Sequence, residues 1–114
     1  MPDPFDLTRE TGHLPLSLLA VIDEESVRAH HKHGATSMTG AGNTDLDRLP
    51  ILVEEAGEVA RLFNDARHDG VPVDDAKLLG ELIQTAAMAA GWAQIVATRA
   101  GLTAGAPTAE ATHA

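Results

Sequence analysis

The sequence predicts an all-α fold: a bundle of long antiparallel helices completed by oligomerisation. Three observations predict it. Hydrophobic residues make up 44% of the chain and aromatics only 3%, a balance that favours close-packed helices over strands, which draw on aromatic and β-branched side chains. Apolar residues recur at intervals of three and four in three long segments. Gly- and Pro-containing stretches separate those segments. A chain of 114 residues suits one domain. Its core is small for three helices that each carry a long apolar stripe, so a homodimer or homotetramer is expected to bury the remainder.

Residues 1–13 hold Pro2, Pro4, Gly12 and mixed charge and read as an extended arm. The helical domain is expected over 14–100. Its first helix is predicted at Leu14–His33, with Pro15 in the first turn and Leu18, Leu19, Ile22 and Ala29 on one side. Asp23, Glu24 and Glu25 fall on the other side and read as solvated, with a metal role as the lesser alternative. The helix closes on His30-His31-Lys32-His33-Gly34, where cationic side chains complement the dipole and glycine stops the helix. His30, His31 and His33 do not align on one helical face, so zinc is not expected.

Ala35–Thr44 reads as a loop of small polar residues and glycine. It lacks the Gly-Lys-Ser/Thr ending of a phosphate-cradling P-loop. The second helix is predicted at Asp45–Arg67, capped by Thr44 or Asp45. Pro50 is expected to mark a fresh start or a kink. Leu49, Leu52, Val53, Ala56, Val59, Ala60 and Phe63 form its stripe, and Gly57 leaves room for another helix or a ligand to come close. After a turn at 68–72, Val73–Arg99 is the third helix, with Leu78, Leu82, Ile83, Ala86, Ala89, Ala93 and Val96 on its packing side and Trp92 assigned to the core. Residues 101–114 form a low-complexity tail expected to be disordered.

The net charge is −9, from 17 acidic and 8 basic residues. Such a surface repels phosphate backbones, so binding to a nucleic-acid polymer is not expected. There are no cysteines, which excludes disulfides and thiolate chemistry. No run of about 18 uncharged apolar residues predicts a membrane span. The start of the chain lacks the basic and apolar segments of a signal peptide. A cytoplasmic location fits these features.

The chemistry concentrates in Leu49–Trp92. Glu54, Glu55 and Glu58 lie three and four apart on the second helix, so Glu58 shares a face with either partner. Glu81 and Gln84 repeat the three-residue spacing on the third helix. Antiparallel packing would gather these oxygens. Clustered carboxylates repel and lose solvation, whereas a hard divalent cation takes oxygen ligands and removes the repulsion. The plainer reading is a solvated acidic face of an amphipathic helix.

Glu55-Ala56-Gly57-Glu58, then Glu81 about two dozen residues on, resembles the Glu-x-x-Glu…Glu-x-x-Asp pattern of the all-α nucleoside triphosphate pyrophosphohydrolases, and most closely their MazG-like branch. The phrases Leu-Val-Glu-Glu-Ala-Gly-Glu-Val-Ala and Glu-Leu-Ile-Gln-x-Ala-Ala-Met-Ala share that likeness, which covers roughly residues 45–92. The family's final Asp is Gln84 in this chain. It keeps a carbonyl oxygen and loses the charge.

The resemblance implies cleavage of a nucleoside triphosphate, ribo- or deoxyribo-, to the monophosphate and pyrophosphate, with Mg2+ or Mn2+ as cofactor. It implies Glu55, Glu58 and Glu81 as metal ligands, Gln84 as a weaker or outer one, and a nearby carboxylate, Glu54, to orient or deprotonate water. It also sets the loop near the nucleotide, which singles out Ser37. Lys32 is a candidate for phosphate, and Arg61 for either phosphate or the Glu58 carboxylate one turn back. The alternatives are a nucleotide- or metal-binding helical module without turnover and a structural helical adaptor. A di-iron bundle needs Glu-x-x-His on two helices, and the Glu10…His13 string sits in the arm.

Overall fold

The computed structural model describes residues 12–102. They form α1 (Leu16–His33), a short 3-10 turn (Gly34–Thr36), α2 (Asp45–Asp69) and α3 (Asp75–Arg99). No strand occurs among the described residues, and the all-α expectation holds. The expected arm and tail lie largely outside the described residues, at 1–11 and 103–114.

The helix ends differ from expectation for identifiable reasons. α1 begins at Leu16 because Pro15 is extended, with φ −60° and ψ 141°. Pro15 stands before the helix, and its carbonyl accepts from the Leu18 and Leu19 N–H groups. Thr44 caps α2: its hydroxyl accepts from the Asp47 N–H at 3.2 Å, while the Asp47 carboxylate accepts from the Thr44 N–H at 2.8 Å. This reciprocal pair satisfies two donors that a helix start leaves unbonded. α2 then continues through Pro50 without a break. The missing donor of Pro50 would have bonded to Leu46, whose residue is 81% exposed. α2 runs to Asp69 and stops at Gly70, which adopts φ 70°, a left-handed conformation that glycine takes without steric cost. α3 starts at Asp75, since Asp74 is its cap and accepts from the Ala76 N–H at 2.9 Å.

α3 is the central element. It packs on both α1 and α2, whereas α1 and α2 make no close backbone approach to each other. α2 and α3 are antiparallel: Asp45 at the start of α2 meets Trp92 and Arg99 near the end of α3. Ala29, Met38 and Ala87 form the buried apolar core. Gly91 is buried as well. A Cβ there would lie 3.1 Å from Thr39 Cγ2 and 3.3 Å from Met38 Cβ, so its absence lets the loop settle directly on α3. Gly57 shows the reverse, as a Cβ there would meet nothing within 4 Å. No close neighbour within the described chain uses that space.

Much of the predicted stripe of α2 faces outward. Val53 is 61% exposed, and Leu49 and Phe63 about half exposed. One neighbouring helix covers only part of a stripe this wide. Leu52 joins Trp92, Val96 and Leu102 in lining an open apolar trough along α3. No helix of the described residues is long and apolar enough to cross a membrane.

Candidate functional site

Because α1 and α2 meet only through α3, a cleft of about 350 Å³ opens between them. α1 contributes Glu25, Arg28, Ala29 and Lys32 to one wall, and α2 contributes Ile51, Glu54 and Glu55 to the other. Gln84 and Met88 of α3 form the floor. Thr36, Ser37 and Met38 close one end. The cleft is bipolar, with cationic side chains on α1 opposite carboxylates on α2.

The carboxylate side is frustrated. Glu55 Oε1 and Glu81 Oε1 are shielded from solvent, and neither has a hydrogen-bond partner among the described residues. Burial above all, and then the neighbouring Glu81, Glu54, Glu58 and Glu25 charges, push the Glu55 carboxyl above its ordinary value. Such a group holds its charge at a cost, and a cation would relieve that cost. Glu58 is engaged elsewhere, 3.3 Å from Arg61. Among the described residues no three His, Asp or Glu side chains are already gathered to hold an ion. The donors suit a hard divalent cation in kind, being oxygen-only, and two of them are buried and unpaired. Holding one requires the side chains to converge.

On the opposite wall Arg28 grips Glu25 with two bonds, Nε to Oε1 at 2.9 Å and Nη2 to Oε2 at 2.5 Å. The Arg28 hydrogen bonds hold the Glu25 carboxyl below the usual range. Only 15% of the Glu25 side chain is exposed, against 56% for Arg28. Lys32 lines the same wall one helical turn further on.

The loop is no bare connector. Ser37 is 5% exposed, with its hydroxyl 2.7 Å from His30 Nδ1 and 3.3 Å from Thr39 Oγ1. Asn43 Nδ2 donates to the Thr36 and Ser37 carbonyls at 2.6 and 3.0 Å. Arg48, 3% exposed, reaches back from α2. Its Nε donates to the Met38 carbonyl at 2.9 Å and its Nη2 to the Gly40 carbonyl at 2.8 Å, with Asp45 Oδ1 3.6 Å from Nη1. A guanidinium suits this task because its planar fork serves several acceptors at once.

Of the residues singled out from sequence, the fold brings Lys32, Ser37, Glu54, Glu55 and Gln84 to one cleft. Glu81 stands beside Glu55, near enough for its charge to raise it, but it does not line the cleft. Glu58 and Arg61 form a pair of their own. The sequence reads Glu25 as solvated ahead of metal-bound, leaves the role of His30 open within its His cluster, and singles out neither Arg28 nor Arg48. Glu25 had a signal that went unused: it is three residues from Ile22 and four from Ala29, both on the predicted packing side.

Comparison with protein-family models, with curated proteins and with solved structures finds no significant match to this chain.

Proposed function

We propose that this protein is a Mg2+-dependent nucleoside triphosphate pyrophosphohydrolase, of the kind its MazG-like motifs resemble, with Mn2+ as an alternative ion. The observation that carries this reading is the pair of shielded, unpartnered oxygens on Glu55 and Glu81, beside a cleft whose far wall presents Lys32 and Arg28. Carboxylates on one side call for a cation, and cations on the other side call for an anion. A metal–triphosphate complex answers both. It also brings its own positive charge to a chain of net charge −9, which would repel a bare triphosphate.

Glu55, Glu81 and Glu58 would hold the ion, with the Gln84 carbonyl as a neutral donor. When bound, the ion supplies charge neutralisation and polarises the phosphorus centre. Glu54, on the cleft wall, orients water and takes its proton as the oxygen attacks phosphorus. The bond between the bridging oxygen and the attacked phosphorus breaks, and pyrophosphate leaves the monophosphate. Lys32 and Arg28 hold the phosphate oxygens. Ser37, fixed by His30, contributes a hydroxyl at the closed end. Arg61 joins the phosphate contacts only if Glu58 releases it. A second copy of the chain would cover the apolar trough and the outward stripe of α2, giving a homodimer or homotetramer.

The test is pyrophosphate release from a panel of ribo- and deoxyribonucleoside triphosphates with Mg2+, wild type beside Glu54→Gln and Glu58→Ala. Wild type should release pyrophosphate from at least one member, and Glu58→Ala should not. Gln84 favours a second reading, since it faces the cleft with an oxygen and no charge: a metal- or nucleotide-binding module without turnover. Nucleotide binding with no pyrophosphate release from any member of the panel would establish that reading instead.

A further inference from the structure

We propose that Glu25 on α1 supplies the anionic oxygen that Gln84 lacks, and that a divalent cation and Arg28 compete for it. The inference rests on the metal-dependent reading above and adds a ligand that the two-helix acidic motif does not contain.

Glu25 and Gln84 line the same cleft, one from α1 and one from α3. Neighbouring Asp23 and Glu24 are exposed, but the Glu25 side chain retains only 15% of its exposure. Arg28 covers that carboxylate and holds it with two bonds. Independently, Glu55 Oε1 and Glu81 Oε1 are buried without partners among the described residues, so the same region has acceptor oxygens that no described group satisfies. Glu25 is near enough to contribute to the repulsion on Glu55. A cation drawn to Glu55 and Glu81 therefore gains a third charged oxygen from Glu25 without a carboxylate at position 84.

The exchange has a second effect. Arg28 is half exposed on the cleft wall near Lys32. When Glu25 turns to the cation, the guanidinium donors are released on the wall that receives phosphate. Cation binding thus prepares the anion wall. By linkage, an anion on Arg28 strengthens cation binding to the same degree.

The experiment is Mn2+ binding to the full chain, followed by electron paramagnetic resonance without nucleotide, with helical content checked by circular dichroism. Glu25→Gln should weaken Mn2+ binding about tenfold or more, and Gln84→Asp in that background should restore it. Arg28→Gln should tighten binding about fivefold, because the competitor is gone. Inorganic pyrophosphate should tighten Mn2+ binding in wild type and not in Arg28→Gln. The double variant Glu25→Gln/Arg28→Gln should stay weak. If that double variant binds Mn2+ like wild type, Glu25 serves only to neutralise Arg28 and the inference is overturned. If Glu55→Gln loses Mn2+ while Glu25→Gln keeps it, the inference fails and the metal-dependent reading survives. Absence of Mn2+ binding in wild type would end both. If Glu25→Gln fails to fold, Arg28→Gln decides alone, since it retains Glu25: unchanged or weaker binding overturns the competition.

Discussion

Trp92 Nε1 donates to Asp45 Oδ1 at 2.9 Å, joining residues 47 apart in sequence. Arg99 holds the same carboxylate through Nη1 and Nη2 at 3.2 and 3.0 Å. The start of α2 is thereby tied to the end of α3. The Arg99 bonds first, and the Trp92 bond second, hold the Asp45 carboxyl below its ordinary value of 3.8. A carboxylate with a depressed folded-state value contributes stability above its unfolded value and loses it as pH falls through the folded one. Asp45→Asn should therefore melt below wild type at neutral pH. The gap should close as pH falls below 3.8, as thermal melts at decreasing pH will read. A gap of constant size would remove the ion pair from the account.

Glu55 has the opposite sign. Burial, and the acidic neighbours after it, raise its carboxyl, so the folded state resists the charged form. Its penalty is absent below the unfolded value and grows as pH rises through the folded one. Glu55→Gln should raise the melting temperature at pH 7, because it removes the charge that burial and the acidic neighbours disfavour. The gain should fade in acid. Millimolar Mg2+ should raise the melting temperature of wild type and leave Glu55→Gln unmoved, since binding to the native state stabilises by mass action. Equal shifts in both proteins would locate the ion elsewhere.

Arg48→Met should be costly. It strips the Met38 and Gly40 carbonyls of their donor and leaves the loop without its tie to α2. A loss of about 2–4 kcal/mol is expected, read as a lower denaturant midpoint. Arg48→Lys should recover little of it, because an ammonium cannot span both carbonyls as a fork does.

Two glycines should respond in opposite directions to the same substitution. Gly57→Ala adds a Cβ to open space and should stabilise the chain by about 1 kcal/mol through helix propensity. Gly91→Ala drives a Cβ against Thr39 and Met38 and should destabilise it. Sedimentation of Gly57→Ala also probes assembly: dissociation of an oligomer that wild type forms would show that a second copy packs at Gly57.

The helices were legible because apolar spacing, capping residues and Gly–Pro turns agree along the chain. Their ends were less so. Leu14 and Val73 continue the apolar pattern, but backbone bonding stops at Pro15 and Asp74. Pro50 reads as an interruption, yet one lost donor near a solvent-exposed turn does not outweigh the surrounding helix. For the site, local spacing was enough to group Glu54, Glu55 and Glu58, since one helix sets their geometry. Glu25 and Arg48 depended on tertiary placement. Glu25 looks like its solvated neighbours until α1 is set against α3. Arg48 is an ordinary surface charge until the loop folds back and offers two carbonyls. The three-residue spacing of Glu58 and Arg61, by contrast, points to the pair that the structure forms on α2.

The arrangement of α1 and α2 around a single shared helix makes the molecule a calliper. The jaws make no close backbone approach to each other, so the gap between them is gauged by how closely each packs on α3, where Ala87 is 1% exposed. Residues that never meet a ligand would then decide how large a ligand fits. A substitution library at 87 would retune the gap while leaving every charged group on the jaws in place.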